Sequence, residues 1–213
     1  GLYSEGIAEN LRHMASYLLP PMAQCAKNMG GVPIKPILAE SMVMGDENHT
    51  RQSAADLLFE HQITMDMMKL DMPREQVMAS MQYIIETPRF FHCFGQGASR
   101  AAQLGNVGRE YSTVVTAVCG NGVEFGIKVA ALGDQWFTAP APMMEGKYTS
   151  SQYTIDDQIP WCGDSCVVEC AGLGGLAAAA SPIVCNLRGM KLQDAIAQTR
   201  EMERICVKKN YNY

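Results

Sequence analysis

Apolar side chains in the first half of the chain recur every three to four positions. Ile7, Leu11, Met14 and Leu18 set a helical stripe that Pro20-Pro21 is expected to interrupt, and Ile34, Ile37, Leu38 and Met42 open another with Pro36 in its first turn. Asp71-Met-Pro73 starts a further helix whose Val77, Met78, Met81, Ile84 and Ile85 share a face until Thr87-Pro88. Phe90, Phe91, Phe94, Ala98, Ala101 and Ala102 then trace a stripe that ends at Gly105-Asn106.

At Ser112 the period changes to two. Thr113, Val115 and Ala117 alternate with Val114, Thr116 and Val118, and Val123, Phe125, Ile127 and Val129 alternate with Glu124, Gly126 and Lys128. Between these runs stands Cys119-Gly-Asn121-Gly122, so the pattern predicts a β-hairpin, with Asn121-Gly122 suited to a type I′ turn that needs positive φ at both central positions. Gly133-Asp134 is a second turn, and a third strand is expected over 135–138. Gly163-Asp164-Ser165 supplies N-cap residues for a helix running to about Ala180, and Leu192, Ile196 and Ile205 mark a final helix. The expected fold is α+β. A mainly helical region, 1–110, precedes a region, 111–213, in which a hairpin or small antiparallel sheet packs with a Gly/Ala-rich helix and a C-terminal helix.

Size and composition bound what such a fold can do. The chain has 213 residues, 47% of them apolar and 18% charged, with 17 Lys+Arg against 22 Asp+Glu for a net charge of −5. That length can bury roughly 70% of its unfolded surface. A net negative charge without a Lys/Arg run lacks the positive stripe that nucleic-acid binding requires, so nucleic acid is not an expected partner. Residues 170–187 carry no charge, but Gly172, Gly174, Gly175, Ser181, Pro182 and Asn186 make them a buried helix rather than a membrane span. Of the 8 Cys, positions 93, 119, 185 and 206 have apolar neighbours, as suits reduced thiols in a cytoplasm. The N-terminus shows no secretory signal, and without an initiator Met the chain is expected to be processed or a fragment of a longer protein.

The densest polar cluster is Met44-Gly-Asp46-Glu47-Asn-His49-Thr-Arg51. On a helix Asp46, His49 and Ser53 would share a face, with Glu47 and Arg51 paired beside it. Such a cluster is either a solvated helix face or a site that orients and neutralises an anion, with His49 titrating near neutrality. The start of the helix at Asp164-Ser165, followed by Glu169 and the glycines at 172, 174 and 175, offers backbone N–H groups to an anion. Cys162, Cys166 and Cys170 would line one helical face. A metal site is not expected there, because Cys-x-x-Cys spacing and a second ligand pair are both missing.

Four stretches together resemble one family: Met44 to Arg51; Val115-Thr-Ala-Val-Cys-Gly-Asn121-Gly-Val-Glu-Phe125-Gly-Ile127; Gly133-Asp-Gln-Trp136-Phe-Thr-Ala-Pro140; and Gly163-Asp-Ser165 to Glu169 with Gly172 to Gly175. In order and spacing they are similar to the YlbE-like family of bacterial proteins found beside FdrA-type proteins. The resemblance spans nearly the whole chain. It departs at Gly120, where a larger, often basic residue is expected. One member of that family is a subunit of oxamate carbamoyltransferase, which converts oxalurate and phosphate to oxamate and carbamoyl phosphate in anaerobic allantoin breakdown.

The resemblance therefore implies a carbamoyltransferase subunit that acts on a small anionic substrate and phosphate. It would assemble as an oligomer with FdrA-like and other carbamoyltransferase subunits, in the cytoplasm, with no cofactor and no metal. Carbamoyl transfer between two anions needs prepositioned cationic and N–H donors and a proton shuttle. On this reading His49 shuttles the proton, Asp46 or Glu47 orients it, and Arg51, Asn121, Gly122, Asp164, Ser165 and Glu169 hold the substrates. Two other classes stay open: a non-catalytic scaffold subunit of an FdrA-like complex, and a metal-binding protein resting on the three cysteines.

Overall fold

The computed structural model describes residues 4–46, 53–148, 150–163, 165–180, 185–186 and 189–211, with Ser165 described by its backbone. Helix α1 (Glu5–His13) starts at Ser4, whose hydroxyl accepts the Ile7 N–H at 3.3 Å. The expected break at Pro20-Pro21 does not occur. A π-helical turn over Met14–Leu18 leads straight into α2 (Leu19–Asn28), which carries the two prolines in its first turn. The widened turn accommodates two rings that have no N–H to donate and would otherwise crowd the preceding carbonyls.

Helix α3 (Ile34–Val43) is followed by α4 (Ser53–Met68), the longest helix described, which the apolar periodicity does not reveal. Ala55, Phe59, Ile63 and Met67 form its buried stripe, but Leu57, Met65 and Met68 stand exposed on other faces and blur the pattern. Helix α5 (Arg74–Glu86) starts after Pro73, as predicted. The chain then turns into α6 (His92–Leu104) through Arg89 at φ +63°, held by Asp56 of α4, whose carboxylate accepts the N–H groups of Arg89 at 2.7 Å and Phe91 at 2.8 Å. Phe59 packs against Phe91 and Phe94 at ring-centroid distances of 5.6 and 5.3 Å. The core around them takes Leu18, Leu38, Met67 and Ile84 from the helices, and Val168 and Leu173 from the second half of the chain.

The predicted hairpin is β1 (Val115–Asn121) and β2 (Glu124–Val129), and the expected third strand is β3 (Trp136–Pro140). A two-residue strand that the sequence did not announce, β4 (Cys162–Gly163), completes an antiparallel sheet of order β3-β2-β1-β4. Its register places Val118 opposite Ile127, Phe125 opposite Ala139, and Gly120 opposite Gly163. The hairpin loop also differs from expectation. Its central residues are Gly122 and Val123, and Gly122 alone has a positive φ (+84°), so it is not a type I′ turn centred on Asn121-Gly122.

The single helix expected over 164–180 is instead two 3₁₀ segments, Ser165–Ala171 and Gly174–Ala180. Gly172 at φ +83° breaks the helix there, and fully buried Leu173 pins the break into the main core. Helix α6 ties this half to the sheet: Gln103 Nε2 donates to the Cys170 carbonyl at 2.8 Å, and Arg100 Nη1 to the Thr116 carbonyl at 2.6 Å. The final helix, α7 (Leu192–Glu203), buries Ala195 against Ala178 and Cys185 and ends before Ile205. Among the described residues, no helix is long and apolar enough to cross a membrane.

Candidate functional site

Of the first predicted cluster, Asp46 is described, whereas Glu47, His49 and Arg51 lie outside the described residues. Asp46 is not on a helix face. Gly45, at φ +80°, ends α3 with paired bonds, Gly45 N–H to the Met42 carbonyl at 3.0 Å and Asp46 N–H to the Ser41 carbonyl at 2.9 Å. This left-handed helix stop turns Asp46 inward. There its Oδ2 accepts the N–H of Ala54 at 2.9 Å and of Ala55 at 3.4 Å, in the first turn of α4. With only 2% of its surface exposed, Asp46 is a buried cap, not a solvated charge. The segment carrying Glu47, His49 and Arg51 therefore leaves from a fixed helix end and returns to a fixed helix start.

The second cluster assembles at the hairpin tip. Asn121 pairs with Cys162 across β1 and β4, which brings the hairpin loop beside Gly163, next in sequence to Asp164 and Ser165. Strand pairing, not the glycines at 172, 174 and 175, makes this approach. Asn121 Oδ1 accepts the N–H groups of Val123 at 2.9 Å and Glu124 at 2.7 Å, and the Gly122 N–H donates to the Trp161 carbonyl at 3.2 Å. These groups build the turn. Gly120 explains itself here: a Cβ would overlap the Trp161 ring and come to 2.9 Å from the Trp161 carbonyl oxygen. The larger residue expected at 120 is excluded for as long as Trp161 covers that strand.

Asp164 lies outside the described residues, and Ser165 opens a 3₁₀ segment of seven residues, not a long α-helix with a full macrodipole. Glu169 faces the protein. Its Oε1 accepts the Gly175 N–H at 2.6 Å, so the anion at the start of the second 3₁₀ segment is the protein's own carboxylate. A Cβ at Gly174 would overlap that carboxylate, and Gly174 also sits at φ +67°.

The three cysteines do not share a helical face, because Cys162 belongs to β4 and is exposed while Cys166 is buried in the next segment. Cys166 Sγ donates to the Val118 carbonyl at 3.2 Å. Burial pushes its thiol up to about 12, helped by the neighbouring Cys170, and burial pushes Cys170 up to about 11. Among the described residues no three His, Cys, Asp or Glu side chains gather as a metal-binding group.

Sequence reasoning missed the cleft between α6 and β1, a cavity of about 370 Å³ that Arg100 lines. A lone Arg on a helix stripe carries no signal of this, since only the crossing of α6 over β1 turns it inward.

The profile of the family described as "Oxamate carbamoyltransferase subunit AllG" matches residues 1–165. The chain is 31% identical over 212 residues to the uncharacterized protein YahG of Escherichia coli K12, covering 100% of this chain and 45% of that protein. It is 29% identical over 212 residues to the oxamate carbamoyltransferase subunit AllG of the same organism, covering 99% and 50%. The crystal structure of a conserved protein of unknown function from Enterococcus faecalis V583 superposes with a TM-score of 0.92 at 32% identity, over 100% of this chain and 51% of that one. The chain thus spans about half the length of these relatives.

Proposed function

The chain belongs to the family of oxamate carbamoyltransferase subunit AllG, and from that premise we propose that it serves as a subunit of a carbamoyltransferase converting oxalurate and phosphate to oxamate and carbamoyl phosphate. The observation that carries this reading is the family match over residues 1–165, supported by the relative that bears that subunit's name. FdrA-like and other carbamoyltransferase subunits are the proposed partners.

In this proposal the segment between α3 and α4 supplies the chemistry. Attack of phosphate on the ureido carbonyl generates a tetrahedral oxyanion between two anionic reactants, so a cation and a proton carrier must already stand in place. Arg51 holds an anion and His49 carries the proton. Glu47 orients His49, because the Asp46 carboxylate is committed to the start of α4. Asp46 acts through the backbone and is a positioning residue. Asn121, Gly122, Asp164 and Ser165 are the residues proposed to hold the second anion, while Glu169 is committed to the Gly175 N–H. A second reading, a scaffold subunit, draws on the commitment of the Asp46, Asn121 and Glu169 side-chain oxygens to the protein's own N–H groups.

Carbamoyl phosphate formation from oxalurate and phosphate, measured with and without co-expressed partner subunits, tests the proposal. Activity that requires both this chain and His49 supports it. Full activity of the partners with the His49→Ala chain would leave the scaffold reading.

A further inference from the structure

We propose that the cleft between α6 and β1 binds a small planar monocarboxylate through the Arg100 guanidinium. Gln96, Gly97 and Arg100, within about one turn of α6, line the cleft together with Ala117 of β1, Trp136 of β3 and Val167. Its volume of about 370 Å³ lies in the range of small-molecule sites.

The charge argument is specific. Arg100 reaches across the cleft and spends one of its N–H groups on the Thr116 carbonyl at 2.6 Å, which fixes the guanidinium in place. Among the described residues no carboxylate lies within ion-pair distance of it. The nearby Asp134 pairs instead with Lys128 at 2.9 Å, and that ammonium sits 5.0 Å from the Trp136 ring centroid. A half-buried guanidinium between apolar walls attracts an anion more strongly than one in open water. Its planar fork matches a carboxylate at two points.

Shape narrows the ligand. Among the described lining residues Arg100 is the one cation, which suits a single negative charge better than a dianionic phosphate. Trp136 adds an aromatic ring to the lining, with the Lys128 ammonium over it, and the Gln96 amide can both donate to and accept from an amide group. Gly97 adds an independent sign. It occupies the interior of α6, where glycine is disfavoured, and a Cβ there would meet nothing within 4 Å. The helix leaves that side open to the cleft.

Oxamate combines a carboxylate with a coplanar amide and is the natural probe. Choosing it rests on the function proposed above, whereas the charge and shape of the cleft do not. Isothermal calorimetry on the full chain should show saturable binding of oxamate and none of oxamide, the neutral isostere. Arg100→Gln should weaken oxamate by about tenfold or more, the loss of one charge-assisted interaction. Gly97→Leu should fill the cleft and abolish binding while thermal unfolding, followed in parallel, shows the variant folded. Absence of saturable oxamate binding, unchanged affinity in Gly97→Leu, or tighter binding of inorganic phosphate than of oxamate would each overturn the proposal. Oxamate binding without carbamoyl transfer would remove the proposed reaction and leave this site. Transfer without binding in the cleft would remove the site alone.

Discussion

The Asp46 carboxylate accepts the Ala54 N–H at 2.9 Å across eight positions of sequence, tying the end of α3 to the start of α4. The bond serves the helix start and also closes the segment that contains Glu47, His49 and Arg51. Loss of one charged cap costs about 1 kcal/mol, up to about 2. Asp46→Ala should lower the unfolding free energy by about that amount, and Asp46→Asn, which keeps an acceptor oxygen, should recover most of it. Denaturant titration with an unchanged m-value checks this; equal losses in the two variants would show that the charge, not the capping bond, matters.

His49→Ala should separate chemistry from folding. If His49 carries the proton, turnover in the assembled enzyme falls by roughly 10²-fold or more. The unfolding midpoint should scarcely move. A loss of stability that tracks the loss of activity would make His49 structural.

Gly120 and Trp161 form a pair in which one must be small because the other is large. Gly120→Ala should destabilise the protein by about 1–3 kcal/mol through overpacking. In the background Trp161→Ala the same substitution should cost less, because the ring it would strike is gone and only the 2.9 Å approach to the carbonyl oxygen of residue 161 remains. A double-mutant cycle measures the coupling, and strict additivity of the two changes would refute the contact.

Burial raises the Cys166 and Cys170 thiols to about 12 and about 11, whereas Cys93, Cys162 and Cys206 are exposed. At pH 9 the two buried thiols should react with iodoacetamide about 10²-fold more slowly than the exposed ones, as peptide mapping over time can show. The sign for stability follows from the same shifts. The folded pKa values exceed the ordinary value of 9.0, so the fold holds protons that the unfolded chain releases first. Stability should be unaffected below about pH 9 and decline as pH rises toward 11 to 12, and Cys166→Ser with Cys170→Ser should flatten that decline.

Patterns with a fixed local period were legible in the sequence. The stripes of α3, α5 and α6, the alternation of β1 and β2, the turn at Gly133-Asp134 and the α+β class all follow from side chains spaced within one element, where period alone decides which face is apolar. What the chain concealed depends on partners distant in sequence. Helix α4 is apolar on several faces, and packing alone selects the stripe through Phe59. The run over 164–180 has helical spacing, yet Leu173 reaches the main core only if Gly172 breaks the helix.

The candidate site divides along the same line. Acid, imidazole and guanidinium within six residues announce chemistry because their spacing is local. The burial of Asp46, the meeting of Asn121 with Cys162, and the turn of Arg100 toward β1 are set by elements that lie far apart along the chain. A one-dimensional sequence determines which groups are available and on which face of an element they stand. Which of them lose water, and which face one another, is decided by the packing of those elements, because desolvation and close approach are properties of pairs brought together in space.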